Sequence, residues 1–315
     1  MNDIRIPLGE WAEVLVDLVT ENLATFFDVL RSIFLGMYDG VDWLLSTPPF
    51  WVIILALALI GLLARGWRFA LGSALALTLI VGVAQWENAM NSLALILVAS
   101  SIAVALSVPL GIAAAKSDIF SKILRPVLDF MQTMPAFVYL IPALILFRVG
   151  VVPGIVATII FAMAPGVRLT ELGIRSVDKE VVEAGQAFGA SPWRILRQIQ
   201  LPLATPTIMA GVNQVIMLSL SMVVISGMVG AGGLGAQVVA SLNRIDIALG
   251  FEAGLAVVIL AIFLDRITAS LGGSDSTGFF GSIRRFRRAR RAADASASAG
   301  SNASAPQPLV APARV

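Results

Sequence analysis

Residues 88–115 read NAMNSLALILVASSIAVALSVPLGIAAA, a run of 28 residues without a charged side chain. A helix of roughly 20 mostly apolar residues is long enough to cross the hydrocarbon core of a bilayer. Over the 315 residues of the chain, 58% are hydrophobic and 13% are charged, and the mean hydropathy is +0.89. A soluble domain carries about twice that share of charged residues. The sequence therefore predicts an all-α, polytopic membrane helix bundle.

Further apolar stretches of spanning length flank this run on both sides. They are residues 43–64, 69–86, 130–147, 149–167, the first part of 198–243, and 247–264. Glycines from Gly227 to Gly235 indicate that the span within 198–243 ends in a loop. The sequence thus predicts about seven transmembrane helices.

The basic residues are divided unevenly between the two ends of such a bundle. With seven spans, 18 of the 22 lysines and arginines fall on one side. Loops rich in Lys and Arg stay in the cytoplasm. We therefore expect an inner-membrane protein with its N-terminus extracytoplasmic and its C-terminus cytoplasmic.

Both termini differ in composition from the apolar middle of the chain. Residues 1–42 contain eight acidic side chains and two arginines, with apolar residues at near-helical spacing. This pattern predicts an amphipathic extracytoplasmic helix, either on the membrane surface or packed on the bundle. Residues 43–84 would hold the leading transmembrane helices. Residues 271–315, rich in Arg, Ser, Ala and Pro, predict a disordered cytoplasmic tail, either solvated or lying against lipid headgroups.

The residue types that are missing exclude several classes of function. The chain has no cysteine and no histidine, so it lacks a thiolate and the commonest general base and metal ligand. We therefore predict no catalytic residue, no metal site and no bound cofactor. The nearly charge-free spans argue against an ion-driven secondary transporter. Membrane lipids are expected partners, and nucleic acid is not.

The most ordered pattern outside the spans is VDKEVVEAGQAFGASPWRILRQIQLP, residues 177–202. It predicts two short helices joined by a turn. Asp178 would cap the first helix, and Gly189 suits the left-handed position just past its end. Ser191, followed by a proline, would start the second helix, and Pro202 would end it.

This stretch resembles the EAA loop of ABC importer permeases, at 178–202 here. In that family the loop forms a coupling helix that sits in a cleft of the ATP-hydrolysing subunit. The resemblance departs from the family pattern at one position, where glycine replaces the usual second alanine. It assigns the ATPase-coupling role to Glu183, Ala184, Gly185, Gly189, Ile199, Leu201 and Pro202.

Three further stretches resemble the glycine betaine/proline betaine (ProU, ProW-like) permeases. They are MQTMPAFVYLIP (131–142), LPLATPTIMAGVNQ (201–214) and LSLSMVVISGMVGAGGLG (218–235). The resemblance covers about 85–270, which would be a permease core of the ABC type I importer (MetI-like) fold. It implies import of quaternary ammonium osmolytes by a homodimer. Choline or an amino acid (histidine, methionine-like) is the alternative cargo.

The same resemblance implies partner proteins. The chain contains no G-x-x-x-x-G-K-[ST] phosphate loop, so ATP with Mg²⁺ would bind to a separate ATPase subunit, present in two copies. An extracytoplasmic substrate-binding protein would deliver the cargo.

Polar side chains inside apolar spans tend to face the bundle interior. They would either line the translocation path or form interhelical hydrogen bonds. Asp129 and Arg125, four residues apart, are predicted to pair with each other. The candidate path residues are Gln132, Thr133, Tyr139, Asn213, Gln214, Ser219 and Ser221.

Overall fold

The computed structural model describes residues 7–272, which are built from helices and their connections, with no strand in that range. Most of the expected tail, residues 273–315, lies outside the described residues. The elements are α1 (Leu8–Ser46), α2 (Phe50–Arg65), α3 (Trp67–Gly82), α4 (Trp86–Lys116), α5 (Asp118–Thr133), α6 (Ala136–Phe147), α7 (Val151–Arg175), α8 (Lys179–Ala187), α9 (Pro192–Ile195), a π turn (Leu196–Gln200), α10 (Leu201–Gly227), α11 (Gly233–Arg244) and α12 (Ile247–Gly272).

Helices α4, α7 and α10 form the centre of the bundle, and α7 packs along both of the others. Small residues allow this close approach. A Cβ added at Gly111 would lie 2.5 Å from the Cβ of Thr170, and one added at Gly166 would lie 2.5 Å from the Ser107 hydroxyl. Contacts of this kind let helix backbones pack tightly within a membrane. Large side chains that are fully buried around them include Leu93, Ile96, Ile155 and Leu260.

Within residues 7–272, four helices are long and apolar enough to cross a membrane: α4, α7, the continuous helix from Pro192 to Gly227, and α12. Two bent pairs, α1 with α2 and α5 with α6, raise the number to six if each pair counts as one span. The seventh expected span, residues 69–86, corresponds to α3, an apolar helix of only 16 residues that is too short for this criterion. Two of the other predicted runs, 43–64 and 130–147, contain a bend.

The clearest such bend lies inside the predicted span 130–147. Helices α5 and α6 meet at an angle of 98°. Met134 is extended (φ −70°, ψ 135°) because it precedes Pro135, and proline disfavours the helical conformation in the residue before it. Across the break, the Tyr139 hydroxyl donates a hydrogen bond of 2.5 Å to the Met131 carbonyl oxygen. The apolar run 130–147 is therefore two helices that meet at this bend, and whether the pair crosses the membrane as one span stays a prediction.

The predicted N-terminal helix is present as α1, and its second half packs on the bundle. Tyr38 and Leu45 are buried in the main core. The Phe27 ring contacts Phe147 edge-on, with centroids 5.5 Å apart. In the first half, apolar side chains such as Trp11 remain exposed. Of the two predicted arrangements, packing on the bundle therefore applies to the second half of α1. Contact of the first half of α1 with lipid stays a prediction.

The glycine-rich stretch after Gly227 forms the predicted end of a span and a loop. Three positive φ angles, at glycines, turn the chain from α10 into α11. The Leu234 N–H donates to the Ser92 hydroxyl of α4 (2.8 Å), and the Gly150 N–H donates to the Val229 carbonyl (3.2 Å). This corner therefore joins the ends of α4, α7 and α10.

Candidate functional site

The first helix of the loop has the predicted start and end. The Asp178 carboxylate accepts the N–H of the residue two positions later (3.0 Å) and caps α8. Beyond the other end, Gly189 has φ +75°. Its N–H donates to the carbonyl three residues earlier (2.8 Å), and the Ala190 N–H donates to the Gly185 carbonyl (3.1 Å). This pair of bonds is the Schellman motif, which satisfies the last carbonyls of a helix.

The second predicted helix is α9, capped by Ser191, whose hydroxyl accepts the Arg194 N–H (3.4 Å). Pro202 does not end it, contrary to the prediction. A proline ring clashes with the carbonyl four residues back. Here a π turn precedes the proline, with the Leu201 N–H bonded to the Leu196 carbonyl, and this wider turn carries the chain into α10. The second arm of the loop is therefore continuous with α10.

The loop-motif residues divide between an outer surface and a hairpin contact. Glu183 and Ala184 are exposed on α8. Gly185 faces the second arm, and a Cβ added there would lie 2.8 Å from the Ile199 Cδ1. Gly189 and Pro202 are exposed, whereas Ile199 and Leu201 are partly buried. The structure thus brings Gly185 and Ile199 into contact and leaves Glu183 exposed on the outer surface of the loop.

The outer surface of the loop is unusually apolar for a connection between helices. The Phe188 side chain is 92% exposed and Trp193 is 66% exposed, and Val181 of α8 is exposed as well. Beneath the loop, a separate apolar cluster buries Ile174 and Leu196 against the bundle. Exposed apolar patches of this kind mark interaction surfaces.

A network of charges lies beside the base of the loop, and sequence reasoning did not find it. Glu171 is 5% exposed. It accepts hydrogen bonds from the Ser121 hydroxyl (2.7 Å) and the Arg125 guanidinium (3.0 Å), and it forms an ion pair with the Arg175 Nε (2.9 Å). Buried charges need such partners because they have lost water. The donors on α5 are 46 and 50 residues away, so no local spacing rule could reveal them.

This network also corrects the predicted pairing of Asp129. Asp129 forms an ion pair with Arg168 of α7, and Arg125 forms an ion pair with Glu171. Spacing of four residues made the Arg125–Asp129 pair geometrically possible on α5. The buried carboxylate on α7 gives Arg125 a less solvated partner, so the interhelical pair replaces the local one.

The seven candidate path residues do not form one surface. Tyr139 and Ser219 are buried and bonded within their surroundings, Tyr139 to Met131 and Ser219 to the Val215 carbonyl of its own helix (2.8 Å). Asn213 is partly buried. The exposed members, on α5 and α10, are Gln132, Thr133, Gln214 and Ser221.

Asn213 joins α10 to α12 through a carboxylate that sequence reasoning overlooked. Its Nδ2 donates to the Asp265 carboxylate (3.2 Å), and its Oδ1 accepts the Thr268 hydroxyl (2.7 Å). Asp265 lies just beyond the apolar run 247–264 and therefore outside the predicted span. Asn213 is an interhelical bridge in this structure.

The comparisons with known proteins agree with this architecture. Residues 107–272 match the family described as binding-protein-dependent transport system inner membrane component. A glycine betaine/carnitine transport permease protein of Listeria monocytogenes is 48% identical over 267 residues, which cover 84% of this chain and 94% of that protein. The chain belongs to the glycine betaine/proline betaine family of ABC importer permeases. It is a translocation subunit of the inner membrane.

Further relatives support this assignment of the permease. The glycine betaine/proline betaine permease ProW of Escherichia coli is 45% identical, and the match covers 85% of this chain and 75% of ProW. An inward-facing structure of the MetNI methionine ABC transporter aligns with a TM-score of 0.56 at 19% identity, covering 60% of this chain and 94% of that one. This likeness establishes the MetI-like fold of the permease and nothing about its cargo.

The bridge between α10 and α12 leads to a prediction about stability of the permease. Replacing Asn213 with alanine removes both hydrogen bonds and leaves Asp265 without the amide donor. We expect the free energy of unfolding to fall by about 1–3 kcal/mol. Ser219→Ala is the matched control, because that hydroxyl bonds only to the Val215 carbonyl of its own helix and its loss breaks no contact between helices. Equal thermal midpoints for the two purified variants would contradict the bridging role.

Proposed function

We propose that the permease imports glycine betaine/proline betaine-type quaternary ammonium osmolytes by ATP-driven transport. The observation that carries this proposal is the 48% and 45% identity, over most of the chain, to permeases named for glycine betaine with carnitine or proline betaine. A relative named for glycine betaine alone, from Bacillus subtilis, is 42% identical over 85% of the chain. Such a cargo is close to neutral overall, which suits spans that carry few charges.

In this proposal the residue 178–202 loop couples the permease to the ATPase. Two copies of the chain form the membrane unit, and two ATPase subunits hold ATP and Mg²⁺. Phe188 and Trp193 form the apolar contact with the ATPase, and Glu183 supplies a charge at its edge. Closure of the ATPases on ATP then displaces the paired loops. The continuity of the second arm with α10 supports this role, because a displaced loop carries α10 with it.

The proposed orientation places the loop end of the bundle in the cytoplasm and the N-terminus outside. The exposed polar residues Gln132, Thr133, Gln214 and Ser221 face the partner copy or the path between the copies. Quaternary ammonium groups are recognised best by cages of aromatic rings. Tyr139 is buried, so its ring is not accessible to cargo in this structure, and its hydroxyl is bonded to the Met131 carbonyl. We therefore assign tight cargo selection to an extracytoplasmic substrate-binding protein.

Reconstituted transport tests the proposal directly. The permease is purified with its ATPase subunit, placed in proteoliposomes and supplied with the binding protein and internal ATP. We expect uptake of radiolabelled glycine betaine that excess proline betaine suppresses. Suppression by histidine or methionine, but by neither betaine, would overturn the proposed cargo. Preferential suppression by trimethylamine N-oxide would favour the cargo named for a Ruegeria pomeroyi relative that is 40% identical.

A further inference from the structure

The loop is fastened at both ends to one place, the corner where α4 meets α5 (residues 114–118). At the entry to the loop, Arg175 is the last residue of α7. It donates to the Asp118 carboxylate (2.7 Å) and to the Ala114 carbonyl (2.8 Å). At the exit, the Gln200 side chain accepts a hydrogen bond of 2.7 Å from Lys116. Two attachments at opposite ends of one loop restrict its movement relative to the corner.

A buried carboxylate holds the entry attachment in position. Glu171 lies one helical turn before Arg175 and forms an ion pair with its Nε (2.9 Å), so the guanidinium is held between α7 and the corner. Glu171 also accepts bonds from Ser121 and Arg125, both on α5. One carboxylate therefore ties the helix that enters the loop to the helix that leaves the corner.

Apolar packing completes the contact between the corner and the loop. Ile112 and Ala115 at the end of α4 belong to the same apolar cluster as Val182 of the first arm and Leu196 of the second arm. The corner thus contacts both arms through side chains as well as through hydrogen bonds. A displacement of the loop that left the corner behind would break all of these contacts together.

We propose that Glu171 and Arg175 are positioning residues that make the coupling loop and the α4–α5 corner move as one body. The displacement of the loop by the ATPase is then transmitted directly to α5, and from α5 through the bend at Pro135 to α6. This route is additional to the continuous connection from the loop into α10. It gives exposed polar residues on α5, Gln132 among them, a mechanical link to ATP. The inference rests on the proposed function of the loop.

The structure supplies a matched control on the same pair of helices. Arg168 and Asp129 also form an ion pair between α7 and α5. Both side chains are substantially exposed, and neither is bonded to the loop or to the corner in the structure. Removing this pair weakens the contact of α5 with α7 but leaves both attachments of the loop intact.

The first test measures glycine betaine transported per ATP hydrolysed in proteoliposomes. We expect Glu171→Gln to keep ATP hydrolysis within about two-fold of the unchanged complex, because the ATPase itself is unaltered. The transport ratio should fall at least five-fold, because Arg175 loses the carboxylate that fixes its guanidinium at the corner. Asp129→Asn should leave both quantities unchanged. An unaltered ratio in Glu171→Gln, or an equal fall in Asp129→Asn, would overturn the proposal.

A second test leaves Glu171 and Arg175 unchanged. The chain has no cysteine, so Lys116→Cys and Gln200→Cys can be joined by a bifunctional maleimide without removing other thiols. Parts that move as one body tolerate the link, and we expect ATP-driven uptake to stay within about two-fold of the unlinked double variant. Loss of uptake on linking, with single-cysteine variants unaffected by the reagent, would refute common movement. Failure of the unchanged complex to transport any betaine would instead refute the proposed function.

Discussion

Replacing Gly189 with valine is expected to abolish ATP-driven uptake while the chain still enters the membrane. Gly189 has φ +75°, and the left-handed conformation costs an L-residue about 1–2 kcal/mol, with β-branched residues the least suited to it. The N–H groups of Gly189 and Ala190 would lose the carbonyls that close α8. The two arms of the loop would then separate. We expect the uptake rate in proteoliposomes to fall at least ten-fold.

Asparagine provides the control at the same position. Gly189→Asn adds a side chain of similar size to valine, but asparagine tolerates the left-handed conformation. We expect this variant to keep more than half of the uptake. Loss in both variants would indicate that side-chain bulk matters and the backbone does not. Normal uptake by the valine variant would contradict any need for this turn.

The largest effect on stability is expected at Gly227, where α10 crosses the start of α11. A Cβ added there would lie 2.5 Å from the Ala236 nitrogen, and a backbone atom cannot move aside as a flexible side chain can. Gly227→Ala must therefore push the two helices apart and break the corner that joins α4, α7 and α10. We expect a loss of about 3 kcal/mol or more in the free energy of unfolding. Thermal unfolding of the purified chain measures this loss.

Gly254 of α12 is the matched control for the same substitution. Nothing lies within 4 Å of a Cβ added there. Because alanine favours a helix over glycine by about 1 kcal/mol, Gly254→Ala should keep or raise the thermal midpoint. Similar midpoints for the two alanine variants would show that the α10–α11 crossing is not tight.

The ends of the loop helices were predictable because their causes are local. A carboxylate at Asp178, a glycine at Gly189 and a hydroxyl at Ser191 each act on backbone groups within a few residues. The structure confirms all three. The error at Pro202 arose from the same local rules, because they treat a proline as a stop and do not foresee a π turn that makes room for it.

The partners of buried polar groups were not predictable in this way. Glu171 was not singled out in the sequence, and Asp129 was assigned to the wrong arginine. The bridge from Asn213 to Asp265 joins residues 52 positions apart. Each of these contacts exists only because the bundle brings distant segments of the chain together.

Hydropathy, helix caps and turn residues were thus enough to predict an all-helical membrane protein with an ordered two-helix loop. Each of these features depends only on a few neighbouring residues and on the surrounding solvent. Family membership followed from the same linear pattern. The 98° bend between α5 and α6 and the attachment of both loop ends to one corner came only from the tertiary structure. Which charges meet inside a bundle depends on how whole helices pack, and packing is set by contacts between segments far apart in sequence.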